Sequence, residues 1–215
     1  MPTLVYLVRH GMTDWNAARR LAGRLPGVPL SADGRREADA VATRLAGLPV
    51  RAVVASPLDR ALQTAAVIAA RHDLPVTRDD AFIERGFTAW QGMLSTEIRD
   101  RFQDDVAAVA RGERVAGVEP ADAMTERVWA GLERLVARHP EATIVVVSHA
   151  DPIQGLIARV IGMPAARLRA VKVDTASVSR IRRRDHVTVV DYVNSRTHLE
   201  SPGATGWPPS DPRGV

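Results

Sequence analysis

Residues Leu4 to Val8 are continuously apolar, and the run stops abruptly at Arg9-His10-Gly11. A strand buried on both faces reads this way, without the apolar–polar alternation of a half-exposed one, so a central parallel strand is expected. That is a strong constraint. Parallel strands need long crossover connections, usually helical, and their sheets are covered by helices on both faces. Ligands of such sheets sit in the crevice beyond the carboxyl ends of the strands. Arg9 and His10 fall there, and Gly11 reads as a place where backbone approaches a ligand closely. A cation and an imidazole in that position suit an anion that is also to be attacked chemically.

The remainder of the chain supplies the crossovers. Strand and helix signals alternate, which predicts an α/β three-layer sandwich with a mostly parallel central sheet and helices on both faces. Residues 9–30 form a loop punctuated by Gly23, Pro26, Gly27 and Pro29. Ser31 is read as the N-cap of a helix over Ala32 to Leu45, followed by a strand over Val50 to Ala55. Ser56-Pro57 then reads as a capping hydroxyl before a first-turn proline, opening a helix to about Arg71. Residues 74–83 are expected to be extended, Glu84 to Met93 irregular, and 94–110 to hold short helices. A longer helix is predicted over Ala121 to Arg138, and a second buried strand over Thr143 to Val147. Asp151-Pro152 reads as another N-cap and first-turn proline, with a helix to about Ile161. Ser177 to Arg182 and Val187 to Val193 suggest a hairpin around Arg183 to His186.

At 215 residues the chain is long enough for one substantial α/β domain and short for two. One domain over residues 1–200 is expected, with 201–215 a flexible Pro/Gly-rich tail. The formal charge of +4 could suggest nucleic acid. The cations are almost all arginine, with Lys172 the single lysine, and are interspersed with acids along helices. That reads as arginine-biased coding rather than a nucleic-acid footprint, so no nucleic-acid partner is expected. The chain has no cysteine, which excludes disulfides, thiolate nucleophiles and thiolate metal sites. No apolar run approaches the ~18 residues of a membrane span, and the first strand leaves no room for a leader; no membrane partner and a cytoplasmic location are expected. Oligomeric state, a homodimer included, is not readable.

Three strand ends share the same edge of a parallel sheet: Arg9-His10, Ser56 leading to Arg60, and His149. Arg60 lies one turn into its helix, and helical side chains tilt back toward the N-terminus, so its guanidinium reaches that edge. The helix predicted to begin at Asp151 points its positive end at the same crevice. Two arginines, two histidines and a helix start suit a phosphate dianion, whose oxygens match the planar arginine fork.

These residues resemble the histidine phosphatase superfamily, the phosphoglycerate mutase-like fold. The matching pieces come in the family's order: Leu7-Val8-Arg9-His10-Gly11 with Thr13, Trp15 and Asn16; Ser56-Pro57-Leu58 with Arg60, Ala61, Gln63, Thr64 and Ala65; Glu84 before Trp90-Gln91-Gly92; Ser148-His149; and Asn194 with His198-Leu199. The resemblance implies a phosphohistidine intermediate on His10, phosphate held by Arg9, Arg60 and His149, and Glu84 as general acid. Asn16, Gly23 and Ala150 are implied further contacts to a small phosphorylated substrate. It implies no cofactor, and no metal, because arginines do a metal's work on the phosphate. The chain departs from common family residues at Met12, Ala22, Gln91 and Ala150, which leaves the substrate open.

Plainer readings stand beside these. Glu84 could be a loop ion pair with Arg85. Phe87 and Trp90 could be packing residues, could dry the surroundings of Glu84, or could line a substrate rim with Met12, Leu25 and Met93. His72, His139, His186 and His198 read as surface residues, and Arg182 to Arg184 as a solvated turn. A phosphomonoester hydrolase is expected over a mutase, because Met93 to Ala142 is a modest insertion. A non-catalytic phosphate binder would not need both His10 and Glu84.

Overall fold

The computed structural model describes residues 1–200; the predicted tail over 201–215 lies outside the described residues. Six strands form one sheet: β1 (Thr3–Arg9), β2 (Val50–Ala55), β3 (Val76–Arg78), β4 (Thr143–Ser148), β5 (Val178–Arg184) and β6 (Val187–Ser195). Their order is β3-β2-β4-β1-β5-β6. The two continuously apolar segments, β1 and β4, lie side by side in parallel at the centre, as a strand covered on both faces must. β2 and β3 continue the parallel set. β5 pairs antiparallel with β1, so the first strand is central but not flanked by parallel strands on both sides. The hairpin β5–β6 forms as expected, with Asp185-His186 at its turn.

Helices α2 (Ala32–Leu45) and α3 (Asp59–Ala70) cover one face of the sheet through Val41, Leu45, Ala61, Ala65 and Ile68. Helices α6 (Ala121–Arg138) and α7 (Ala150–Val160) cover the other through Met124, Val128, Leu132, Ile153, Leu156 and Ile157. Each large side chain so buried contributes roughly 1.5–3 kcal/mol from desolvation. A third, smaller cluster sits away from the sheet. There Phe87, Trp90, Ile98 and Val118 pack with residues of the short helices α4 (Ser95–Arg101) and α5 (Gln103–Arg111). The one-turn α1 (Asp14–Ala17) and α8 (Thr197–Glu200) complete the helices among the described residues.

Most predicted bounds hold within a residue or two, and two predicted caps do not. Helix α3 begins at Asp59 with Leu58 in the capping position, so Ser56 is not its cap. Helix α7 begins at Ala150 with His149 in the capping position, so Asp151-Pro152 lies within the first turn. Residues 74–83 hold only the short β3 and then a 3₁₀ turn over Asp80–Phe82. Ser31 does cap α2, accepting from the Gly34 N–H at 3.0 Å.

Candidate active site

The parallel ladder runs straight into the site. His10 N–H donates to the Ser148 carbonyl at 3.0 Å, and Ser56 N–H donates to the Val147 carbonyl at 3.0 Å. The ends of β1, β2 and β4 are thus fixed side by side, and Arg9-His10, Ser56 and His149 share one edge as expected. The His10 and His149 rings lie 5.1 Å apart between centroids, tilted by 60°. Both are essentially buried, as is Arg60.

Gly11 has a packing role that the sequence did not signal. A Cβ there would stand 2.4 Å from the Gly34 carbonyl oxygen, and a Cβ at Gly34 would stand 1.9 Å from the Met12 carbonyl oxygen. The two glycines let the first turn of α2 press directly on the backbone after His10. That close approach is to a helix. Glu37 on α2 adds to this seam by accepting from the Met12 N–H at 2.7 Å. An acid therefore stands beside Met12 through space, although Met12 itself is apolar.

His10 Nδ1 donates to its neighbour's carbonyl, Gly11 O, at 2.7 Å, which leaves Nε2 with its lone pair. Burial pushes the His10 imidazole well below its usual titration range, and the cations Arg60 and Arg9 push it further. It is a neutral base with a fixed tautomer. His149 is held low by the same burial and cations. Its Nε2 lies 2.7 Å from the Ser56 hydroxyl; with that hydroxyl as donor, Nδ1 carries the proton, and Nδ1 has no protein acceptor. This is what Ser56 does in place of capping a helix.

Each arginine is held by one hydrogen bond and keeps one fully buried nitrogen without a partner. Arg9 donates through Nη1 to Val173 O at 2.8 Å, while its buried Nε has no partner. Arg60 donates through Nη2 to Gly23 O at 2.7 Å, while its buried Nη1 has none. Gly23 adopts a positive φ of 51°, and a Cβ there would strike Gln91 at 2.6 Å. Gln91 in turn accepts from the Arg24 N–H at 2.7 Å, locking the loop against Arg60. Asn16 accepts through Oδ1 from the backbone N–H and the hydroxyl of Thr13, a capping box that leaves its amide N–H₂ without a partner among the described residues. Ala150 is the first residue of α7, where backbone N–H groups are free of intrahelical bonds.

Glu84 follows the 3₁₀ turn, which Ser148 Oγ fastens to the end of β4 by donating to Phe82 O at 2.7 Å. Its carboxyl is raised to about 7, first by burial and then by the nearby Asp151 carboxylate, against the pull of the Arg85 N–H, Arg60 and Arg9. It is not paired with the Arg85 guanidinium. That group lies 3.5 Å from Asp151 and donates through Nε to Glu119 O at 2.7 Å. Phe87 and Trp90 are packed in the α4–α5 cluster and do not form an exposed rim.

Sequence reasoning missed Glu119, which accepts from Arg24 at 2.8 Å, from Arg127 at 3.1 and 3.2 Å and from the Gly86 N–H at 3.1 Å. Arg24 also donates to Glu84 O at 2.7 Å, so this cluster fixes the backbone that carries Glu84. Its members are scattered and no short motif marks them. His198, read as a surface residue, is half-buried instead, bonded to Arg44 at 2.9 Å and to Ala176 O at 3.0 Å. Among the described residues no three His, Asp or Glu side chains converge as metal ligands, and no helix is long and apolar enough to cross a membrane.

The family model described as histidine phosphatase superfamily (branch 1) matches residues 5–196. A Hydrogenobacter thermophilus protein named phosphoserine phosphatase 1 is 31% identical over 196 residues, covering 90% of this chain and 92% of that one. The solved structure of Bacillus stearothermophilus YhfR superposes with a TM-score of 0.87 at 25% identity, covering 92% of this chain and 99% of that one. A mycobacterial glucosyl-3-phosphoglycerate phosphatase solved with VO3 superposes with a TM-score of 0.81 at 28% identity, covering 90% and 99%. The chain belongs to the histidine phosphatase superfamily, branch 1, and stands among its phosphatases.

Proposed function

We propose that the protein is a metal-independent phosphomonoester hydrolase working through a phosphohistidine on His10, with a small phosphorylated metabolite as substrate. The observation that carries this reading is the set of three buried donors, Arg9 Nε, Arg60 Nη1 and His149 Nδ1, none of which has a protein acceptor. Leaving such groups unpaired costs about 1–3 kcal/mol each, more for charged ones, and a phosphate dianion removes that cost. Asn16, the Gly23 backbone and the first N–H of α7 at Ala150 are further donors to the same phosphate. The arginines supply the positive charge that a metal supplies elsewhere.

His10 Nε2 attacks phosphorus in line, forming the N–P bond as the ester P–O bond breaks. Glu84, raised to about 7 and so partly protonated near neutrality, gives its proton to the leaving oxygen. The carboxylate so formed then takes a proton from water, whose oxygen attacks phosphorus and breaks the N–P bond. His10 and protonated Glu84 are restored, and inorganic phosphate leaves. The modest insertion between Met93 and Ala142 favours water over a second sugar or glycerate hydroxyl as acceptor.

The test is a panel of phosphate monoesters assayed with excess chelator, for the wild type, His10→Ala and Glu84→Gln. Phosphate release by the wild type and none by His10→Ala is expected, with a phosphoenzyme that is stable in base and labile in acid. The reading fails if no ester is hydrolysed, if chelator abolishes turnover, or if His10→Ala keeps full activity.

A further inference from the structure

A cavity of about 270 Å³ lies between α4, α5 and the 3₁₀ segment Ala165–Ala170 that follows α7. None of His10, Arg9, Arg60, Glu84 and His149 lines it. Its wall is mostly apolar and includes Trp90, Ile98, Val109 and Leu168. Two features say what such a cavity takes. Arg99 and Arg169 line it, are exposed, and make no ion pair among the described residues. Trp90 is 4% exposed, and its indole N–H has no acceptor. Apolar walls beside unneutralised cations complement a molecule with both parts. Pockets for small ligands start at about 300 Å³, so the space suits one short chain or ring and excludes a two-chain lipid.

We infer that this cavity binds a small amphiphile with an anionic head and an unbranched apolar body, the head paired with Arg99 and Arg169. The inference stands apart from the phosphatase reading, because binding is read without turnover.

Octanoate and octan-1-ol are titrated into the full chain by calorimetry, with the Trp90 indole N–H resonance followed by NMR. Octanoate is expected to bind one to one, to shift that resonance, and to bind severalfold more tightly than octan-1-ol. The Arg99→Ser/Arg169→Ser double variant should remove the preference for the acid. Val109 is only half-buried on a surface helix, so Val109→Trp should fill the cavity, remove binding of both probes and leave the melting temperature near that of the wild type. Equal affinity for the two probes, no saturable octanoate binding, or binding that survives Val109→Trp would each overturn the inference. Displacement of octanoate by inorganic phosphate would do so too, because it would place the probe in the His10 pocket.

Discussion

Two neighbouring arginine-rich regions of this protein treat their charges in opposite ways. Around His10, the donors Arg9 Nε, Arg60 Nη1 and His149 Nδ1 are buried with nothing to bond to. Around Glu119, an equally dense set is saturated. Its carboxylate accepts from Arg24, Arg127 and Gly86, and Arg127 Nη1 reaches the carbonyls of Ala81 and Ile83 at 2.8 and 3.1 Å. The second region is scaffold, because its hydrogen bonds are met within the fold. The first is held in deficit, and a deficit persists only where a ligand or a reaction removes it. Arginine content alone would not separate the two regions. Leftover bonding capacity does.

Substitutions can break that contrast, and the largest effect is at the nucleophile. His10→Ala should lower kcat for p-nitrophenyl phosphate by about 10³ or more, since the covalent route is lost. Its thermal midpoint should stay near the wild-type value. Next is Arg60→Met, expected to cost about 10²–10³ in kcat/KM because one transition-state cation is removed. The same variant should melt no lower than the wild type, because it discharges a buried site with an unmet donor. Inorganic phosphate should raise the melting temperature of the wild type and do so much less for Arg60→Met. Glu119→Gln should behave inversely, losing about 1–3 kcal/mol in urea unfolding as Arg24 and Arg127 lose their counter-charge. A Glu119 variant as stable as the wild type, or an Arg60 variant that melts far lower, would erase the distinction between deficit and saturation.

What the sequence disclosed follows the range of the interactions concerned. β1 and β4 were legible because burial on both faces leaves an unbroken apolar run, and their parallel placement brought Arg9, His10 and His149 to one edge. Ser56 was misread because Ser-Pro is a local helix-start signal, whereas its hydroxyl is taken by His149, 93 residues away. Gly11 was legible only in part. Its need for a bare Cα comes from Gly34, which no spacing rule connects to it. The antiparallel side of β1 was hidden too, since an apolar run does not report the direction of its neighbours. Glu119 left no trace, because an acid saturated by distant arginines looks like any surface glutamate until the chain is folded.

Glu84 sits where the two regions meet, and pH gives the finer test. Its raised pKa of about 7 means that the protonated form dominates below that pH and the carboxylate above it. A leaving oxygen that needs a proton should make kcat/KM fall as pH rises through about 7, since that parameter reports the free enzyme. His10, lowered well below its usual range by burial and by Arg60 and Arg9, should stay neutral through that range and add no acid limb there. Glu84→Gln should remove the alkaline fall and slow alkyl esters more than p-nitrophenyl phosphate, whose leaving group needs little protonation.

The smallest effect is expected at Asp151. Its carboxylate raises Glu84 by repulsion, and burial is the larger cause. Asp151→Asn should therefore move the alkaline limb down by about one pH unit or less, while the plateau rate at low pH is kept. A larger downward shift would mean that Asp151 also acts by holding Arg85, which lies 3.5 Å from it, off the Glu84 carboxyl. Arg85→Met in the same background separates the two roles. If repulsion alone is at work, the double variant titrates where Asp151→Asn does. If Asp151 restrains a cation, removing that cation as well returns the limb toward neutrality.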